Sequence, residues 1–344
     1  MSHDRKTTPK RRFLSGLFGG RKGDRISVAN PTSIISVELM ERVGIFFPEA
    51  HRDPRKMAEL AAAGYEILGF DSIMPEFSVQ QEAEALGCVV DWGHPTMMPD
   101  AKTHPAKEVS NIFIPENLLE KPSMKVVLEA LEILRRDYGD RVALIGKVMG
   151  PWTISYHLVG VQNFLLWTLT EPEKVRQFLD RLKEVTIRFA NAQLQAGADV
   201  VVIADHATGD LVSPKMYQDF LLPVHQEINK RIGGPTILHL CGNCSDRLRL
   251  FVEAGFDAYH FEWQVDAKRA VEVVNHEMSL IGNIANKNTL FGGTPEEVYR
   301  QSRYGIEAGV DILAPECAVP LQTPIENLKA IVEAAKEGYP KATS

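Results

Sequence analysis

Ala196-Gly197-Ala198-Asp199-Val200-Val201-Val202-Ile203-Ala204-Asp205-His206 holds the architecture of the chain in miniature. A helical pattern running from Glu171 to Ala196 stops at an Ala-Gly pair, since glycine accepts the left-handed conformation that ends a helix. An apolar, β-branched run follows, two polar residues close it, and a second helical pattern opens near Pro214 and extends to Arg231. A strand set between two helices is the unit of a parallel sheet with helical crossovers. The same grammar repeats outward in both directions. Strands are expected at Arg25 to Asn30, Glu66 to Ile73, Ala143 to Gly150, Asp199 to His206, Thr236 to Gly242, Ala258 to Trp263, Ser279 to Ile284 and Asp311 to Cys317. Further helical patterns span Pro295 to Ala308 and Pro324 to Glu337, with proline near the first turn, where a helix tolerates it. Ala63-Gly64, Ala254-Gly255 and Ala308-Gly309 recur as helix stops. Eight such units imply an α/β fold, a (β/α)₈ barrel.

Composition bounds the function. A chain of 344 residues, 44% hydrophobic and 24% charged, buries a large core. A net charge of −7 argues against nucleic acid or an anionic membrane as main partner, because both call for a basic face. Four scattered cysteines, at 88, 241, 244 and 317, do not make a disulfide framework, so a reducing cytoplasm is expected. No apolar run reaches the roughly 20 residues of a membrane span. Residues 1–24 carry Arg5, Lys6, Lys10, Arg11, Arg12, Arg21 and Lys22. They read as a basic arm leading into a short helix that covers one end of the fold, with 25–344 as a single barrel domain.

Against this frame, Thr236-Ile237-Leu238-His239-Leu240-Cys241-Gly242-Asn243-Cys244 and Ala314-Pro315-Glu316-Cys317-Ala318 stand out. Thiolate and imidazole suit Zn²⁺, and a catalytic site uses three protein ligands with the fourth position open. In a strand, residues two apart share a side, so His239 and Cys241 can grip one ion. Two other readings compete: cysteine and histidine also serve as plain core, and Cys241 with Cys244 forms a CxxC that can be a redox pair. The barrel favours metal. Active sites of this fold lie at the C-terminal ends of the strands, where His239, Cys241 and Cys317 all fall. Asp205, His206, His260, Glu262 and Asn283 close other strands at the same end, each more simply read as a structural hydrogen-bonding group.

These residues resemble the methylcobamide:coenzyme M methyltransferases, a branch of the uroporphyrinogen decarboxylase superfamily. The resemblance runs from about Lys10 to Glu337. It rests on Asp24-Arg25, Phe47-Pro48-Glu49-Ala50-His51, Gly69-Phe70-Asp71-Ser72, Ser213-Pro214, His239-Leu240-Cys241-Gly242-Asn243, Ile281-Gly282-Asn283-Ile284, and Cys317 followed by Pro324 and Glu326-Asn327. It implies a zinc site at His239, Cys241 and Cys317, a methylcobamide (corrinoid) presented by a separate protein, and coenzyme M or another small thiol as acceptor. Glu262 is the candidate for the fourth ligand and for the proton acceptor. A decarboxylase is the nearest alternative. Its Met-Arg-Gln-Ala-Gly-Arg motif reads Met40-Glu41-Arg42-Val43-Gly44-Ile45 here, losing both arginine positions, and Ser72 stands where its aspartate belongs, one residue from Asp71. A barrel that binds a corrinoid protein and uses zinc only structurally is the third reading. Asn30 and Asn283 are candidates to anchor the sulfonate of coenzyme M.

Overall fold

Eight parallel strands form a barrel in the computed structural model, which describes residues 7–20 and 23–338. They are β1 (Ser27–Val28), β2 (Ser72–Ile73), β3 (Ala143–Met149), β4 (Val200–Ala204), β5 (Thr236–His239), β6 (Ala258–His260), β7 (Ser279–Ile284) and β8 (Ile312–Pro315). The ladder runs β1-β8-β7-β6-β5-β4-β3-β2, parallel throughout. All eight expected strands are present, but β1 and β2 shrink to two residues each. The expected start of the second strand at Glu66 is wrong because the helix Pro54–Glu66 continues through Gly64, which is no helix stop. Gly64 is there for space: a Cβ would lie 2.5 Å from Ile34 Cδ1. Gly69, at φ +78°, makes the turn instead. The helix expected over Pro214 to Arg231 is broken into Pro214–Met216, a wide π turn over Tyr217–Leu221, and Leu222–Arg231. Pro223 has no N–H to give to the preceding turn, and the π turn accommodates that loss.

The seam between β1 and β2 has no regular ladder, and Asp71 stitches it. Its N–H donates to Val28 O at 2.7 Å, and its carboxylate accepts the Val28 N–H at 2.9 Å. The same carboxylate receives Arg12 at 2.6 Å and Arg25 at 3.0 Å, while Arg12 also clasps Asp24 at 2.7 Å. Above β2, side chains replace the missing strand along β3. Gln193 accepts the Lys147 N–H at 2.8 Å and donates to Lys147 O at 2.6 Å, and Glu82 accepts the Met149 N–H at 2.8 Å.

Arg12 belongs to α1 (Pro9–Leu17), whose Phe13 and Leu17 are buried in one apolar cluster with Ala143, Ile145, Val200, Val202, Ile237, Ile281 and Ile312. These strand residues point into the barrel, so α1 stoppers its N-terminal end. Among the arm's basic residues, Lys10 pairs with Asp199 at 2.8 Å; Arg5, Lys6, Arg21 and Lys22 lie outside the described residues. No helix among the described residues is long and apolar enough to cross a membrane.

Removing one partner from a buried charge cluster leaves the other charges unpaired, at a cost of about 3–5 kcal/mol. Asp71→Ala is therefore expected to lower unfolding free energy by about that amount in a denaturant titration. A loss under about 1 kcal/mol would show that the seam does not depend on this carboxylate.

Candidate active site at the barrel mouth

Alternation along β5 turns Ile237 into the barrel core, and the same parity carries His239 and then Cys241 inward at the open end. Cys317 arrives from the end of β8, two residues past Pro315. The structure brings the three together. His239 Nε2 lies 3.3 Å from Cys241 Sγ and 3.3 Å from Cys317 Sγ, and the sulfurs are 3.6 Å apart. Among the described residues, this is the one group of His, Cys, Asp and Glu whose donor atoms converge as a metal site requires. A tetrahedral zinc with bonds of about 2.0 Å to nitrogen and 2.3 Å to sulfur needs donor separations of about 3.5 Å between nitrogen and sulfur and about 3.8 Å between the sulfurs. The observed triangle fits within a few tenths of an ångström.

His239 is prepared for such a role. Its Nδ1–H faces His260 O at 3.2 Å, which leaves Nε2 turned to the sulfurs and, in the neutral ring, able to offer its lone pair to an ion held between them. His260 stacks on it with ring centroids 4.5 Å apart and donates its own Nε2–H to Pro315 O at 2.7 Å. Burial lowers the His260 pKa to about 3, keeping that ring neutral. The two thiols share charge unequally. A hydrogen bond from Cys241 holds Cys317 well below the ordinary thiol value, and the same bond, with burial, pushes Cys241 well above it. Burial works against a charged His239, but the Cys317 charge and hydrogen bond outweigh it and raise its pKa.

Cys244 does not join the triangle: its Sγ turns to Cys241 O at 3.5 Å, and burial pushes its thiol up to about 11. Glu262, half-buried after β6, interacts with the Gly242 N–H and the Cys241 thiol; burial raises its pKa. Other polar strand ends are tied up structurally. Asp205 accepts from Thr153 N–H at 2.7 Å and contacts His225 at 3.1 Å, which in turn meets the Tyr217 hydroxyl at 2.9 Å. Asn283 donates to Val265 O at 2.9 Å, and Asn30 donates to Ser33 O at 3.3 Å and Cys317 O at 3.4 Å. Neither amide has donors left for a sulfonate.

Sequence reasoning missed two features. Glu316 accepts N–H bonds from Trp263 at 3.0 Å and Asn286 at 2.6 Å, joining the loops after β6 and β7 beside Cys317. Lys147, on β3, is buried at 2% exposure near buried Glu76 and Glu82. The signal was present: Ala143, Ile145 and Lys147 share the inward face of an otherwise apolar strand.

The decarboxylase alternative finds no support in this geometry. Asp71 is held at the stoppered end by Arg12 and Arg25, and Arg42 pairs on the surface with Glu38 at 3.0 Å. Glu41 is exposed and Ile45 is buried, so neither lost arginine position is refilled by a cation.

Comparison with known proteins agrees with these observations. The uroporphyrinogen decarboxylase (URO-D) family matches residues 8–338. A methylated-thiol–coenzyme M methyltransferase of Methanosarcina mazei is 36% identical, over 96% of this chain and 89% of that protein. The methylcobamide:CoM methyltransferase MtaA of Methanosarcina barkeri is 35% identical, over 96% of this chain and 98% of its own length. A solved methyltransferase structure from Methanosarcina mazei superposes with a TM-score of 0.92 at 35% identity, covering 96% of this chain and 98% of that one. A barrel stitched at Asp71, with two thiols and an imidazole converging at its mouth, belongs to the uroporphyrinogen decarboxylase family, on the branch of its methylcobamide:CoM methyltransferases.

Proposed function

We propose that this protein transfers a methyl group from a methylated corrinoid, carried by a partner protein, to a thiol, with coenzyme M as the first choice. Residues 25–344 act as the single catalytic domain of a cytoplasmic enzyme. The observation that carries this reading is the triangle of His239, Cys241 and Cys317, with donors 3.3–3.6 Å apart at the barrel mouth. Zn²⁺ held there would deprotonate a substrate thiol and keep it as a nucleophile at neutral pH. Two protein thiolates and a neutral imidazole balance the charge of the ion, so a third thiolate stays electron-rich.

The chain's own residues do the remaining work. His239 presents Nε2 because its other nitrogen is committed to His260 O. Glu262, next to Cys241 and with a raised pKa, takes the thiol proton. The loops after β4, β6 and β7 expose Leu211, Trp263 and Phe291, each close to half accessible. They form an apolar rim suited to a protein that brings its cofactor over the mouth. Cys244 points away from the triangle, which favours a three-ligand open site over a closed structural one.

Metal content tests the ligand set. The purified protein is expected to hold about one Zn²⁺ per chain. Cys317→Ala is expected to lose most of that metal and the transfer of methyl from free methylcobalamin to thiols, while Cys244→Ser keeps both. Full zinc retention in Cys317→Ala, or a metal-free Cys244→Ser, would refute the assignment.

Proton counting tests the chemistry. A thiol loses its proton on binding zinc, so adding coenzyme M near neutral pH is expected to release up to about one proton per site. Glu262→Gln, unable to keep that proton, is expected to release more. Calorimetry in two buffers of different ionisation enthalpy reads the count directly. A count near zero in both proteins, with thiol binding intact, would rule out a metal-activated thiolate.

A further inference from the structure

The four cysteines, at 88, 241, 244 and 317, are all free thiols, and they fall into two kinds. Cys88 and Cys244 are buried, 4% and 0% exposed, and each turns its Sγ to a backbone carbonyl, His157 O at 3.6 Å and Cys241 O at 3.5 Å. Cys241 and Cys317 are partly exposed at the barrel mouth and turn their sulfurs on each other at 3.6 Å. Thiols that solvent reaches are the reactive ones, whereas buried structural cysteines are inert. The two accessible thiols are therefore also the two in contact.

Such a contact has two chemical outcomes. With an ion between them, both sulfurs bond to the metal and stand about 3.8 Å apart. Without one, they need close by only about 1.5 Å to reach the S–S bond length of about 2.05 Å. Cys241 lies two residues beyond His239, where β5 ends, and Cys317 two beyond Pro315, where β8 ends, so neither is itself a strand residue. The CxxC pairing of Cys241 with Cys244 lacks this geometry, because Cys244 Sγ faces a carbonyl from a fully buried position.

We propose that Cys241 and Cys317 form an oxidation site: in the metal-free protein, a small organic disulfide converts the pair to an intramolecular disulfide, which excludes metal until it is reduced. This goes beyond the methyl-transfer reading and does not rest on it. The thiolate of one cysteine attacks the small disulfide, making a mixed disulfide and releasing one small thiolate. The proton that this cysteine gave to water returns to that leaving thiolate. The second cysteine then loses its proton and attacks the sulfur of the first. The bond to the small thiol breaks, and the second leaving thiolate takes up the proton. Two protein thiols are oxidised by two electrons, and one small disulfide is reduced to two thiols. The bridge withdraws both sulfur ligands at once, and a reducing thiol restores them.

The test uses the full chain, stripped of metal by a chelator under reductant, desalted without oxygen and exposed to 2-hydroxyethyl disulfide. Free thiols counted in denaturant are expected to fall from four to two, with the protein lighter by two hydrogens and monomeric on a non-reducing gel. Peptide mapping is expected to join the Cys241 peptide to the Cys317 peptide. Protein loaded with Zn²⁺ beforehand is expected to react at least about tenfold more slowly. The bridged protein is expected to take up no zinc until dithiothreitol restores its thiols. Cys244→Ser is expected to form the same bridge, whereas Cys317→Ser stops at a mixed disulfide on Cys241, and Cys241→Ser supplies the converse arm should that variant fold poorly. A bridge from Cys241 to Cys244, a bridge between chains, four thiols surviving in the metal-free protein, or equal rates with and without bound zinc would overturn the proposal. A protein that takes up no zinc in its reduced state would refute the metal reading instead, and the thiol count and peptide map would still decide the bridge.

Discussion

A single buried carboxylate decides whether this sheet is a barrel. Seven of the eight seams are held by strand ladders, whereas β1 and β2 meet only through Asp71, which uses both its backbone and its side chain to hold Val28. A carboxylate at that depth must be paired, and the pairing comes from Arg12 in α1 and Arg25 just before β1. The helix that seals the floor and the charge that closes the wall therefore depend on each other. Phe13 and Leu17 enter the barrel because Arg12 is drawn to Asp71, and Asp71 tolerates its burial because α1 delivers the guanidinium.

The opposite end is built from rigid positions. His239 is a strand residue, Cys241 follows two positions later, and Cys317 comes directly off β8. The loops touching them are braced. Gly209 N–H reaches Cys241 O at 3.3 Å, and a Cβ on Gly209 would lie 2.0 Å from Asn243 O, so the loop after β4 rests backbone to backbone on the turn beyond Cys241. Glu316 does the corresponding work between the loops after β6 and β7. Donors held this way need little reorganisation to receive an ion, which is what precise chemistry asks of a scaffold.

Much of this was legible from residue order. Apolar runs between helical patterns announce all eight strands, and the barrel's rule about its C-terminal ends brings His239, Cys241 and Cys317 together. The rest failed for local physical reasons. The pattern over 66–73 could not show that a glycine sat inside a helix for want of room beside Ile34. Nor could it show that Pro223 would widen a turn. Asp71 stood out only as a neighbour of Ser72, because its partners Arg12 and Arg25 lie 59 and 46 residues away in sequence. Lys147 escaped notice because a lone lysine in an apolar strand acquires meaning only once its inward parity and its buried neighbours Glu76 and Glu82 are both seen.

The stopper at the floor has a consequence for traffic. With Phe13 and Leu17 packed among Ile145, Val202, Ile281 and Ile312, the barrel is a well with one door. Under the proposed function, a small acceptor and a protein-borne donor would both use this mouth and could not pass each other there. The acceptor has to enter before the donor docks, and the product has to wait until the donor departs. If the proposed reaction runs through this one mouth, each cycle would include one docking and one undocking of the donor, with the product leaving only after the second.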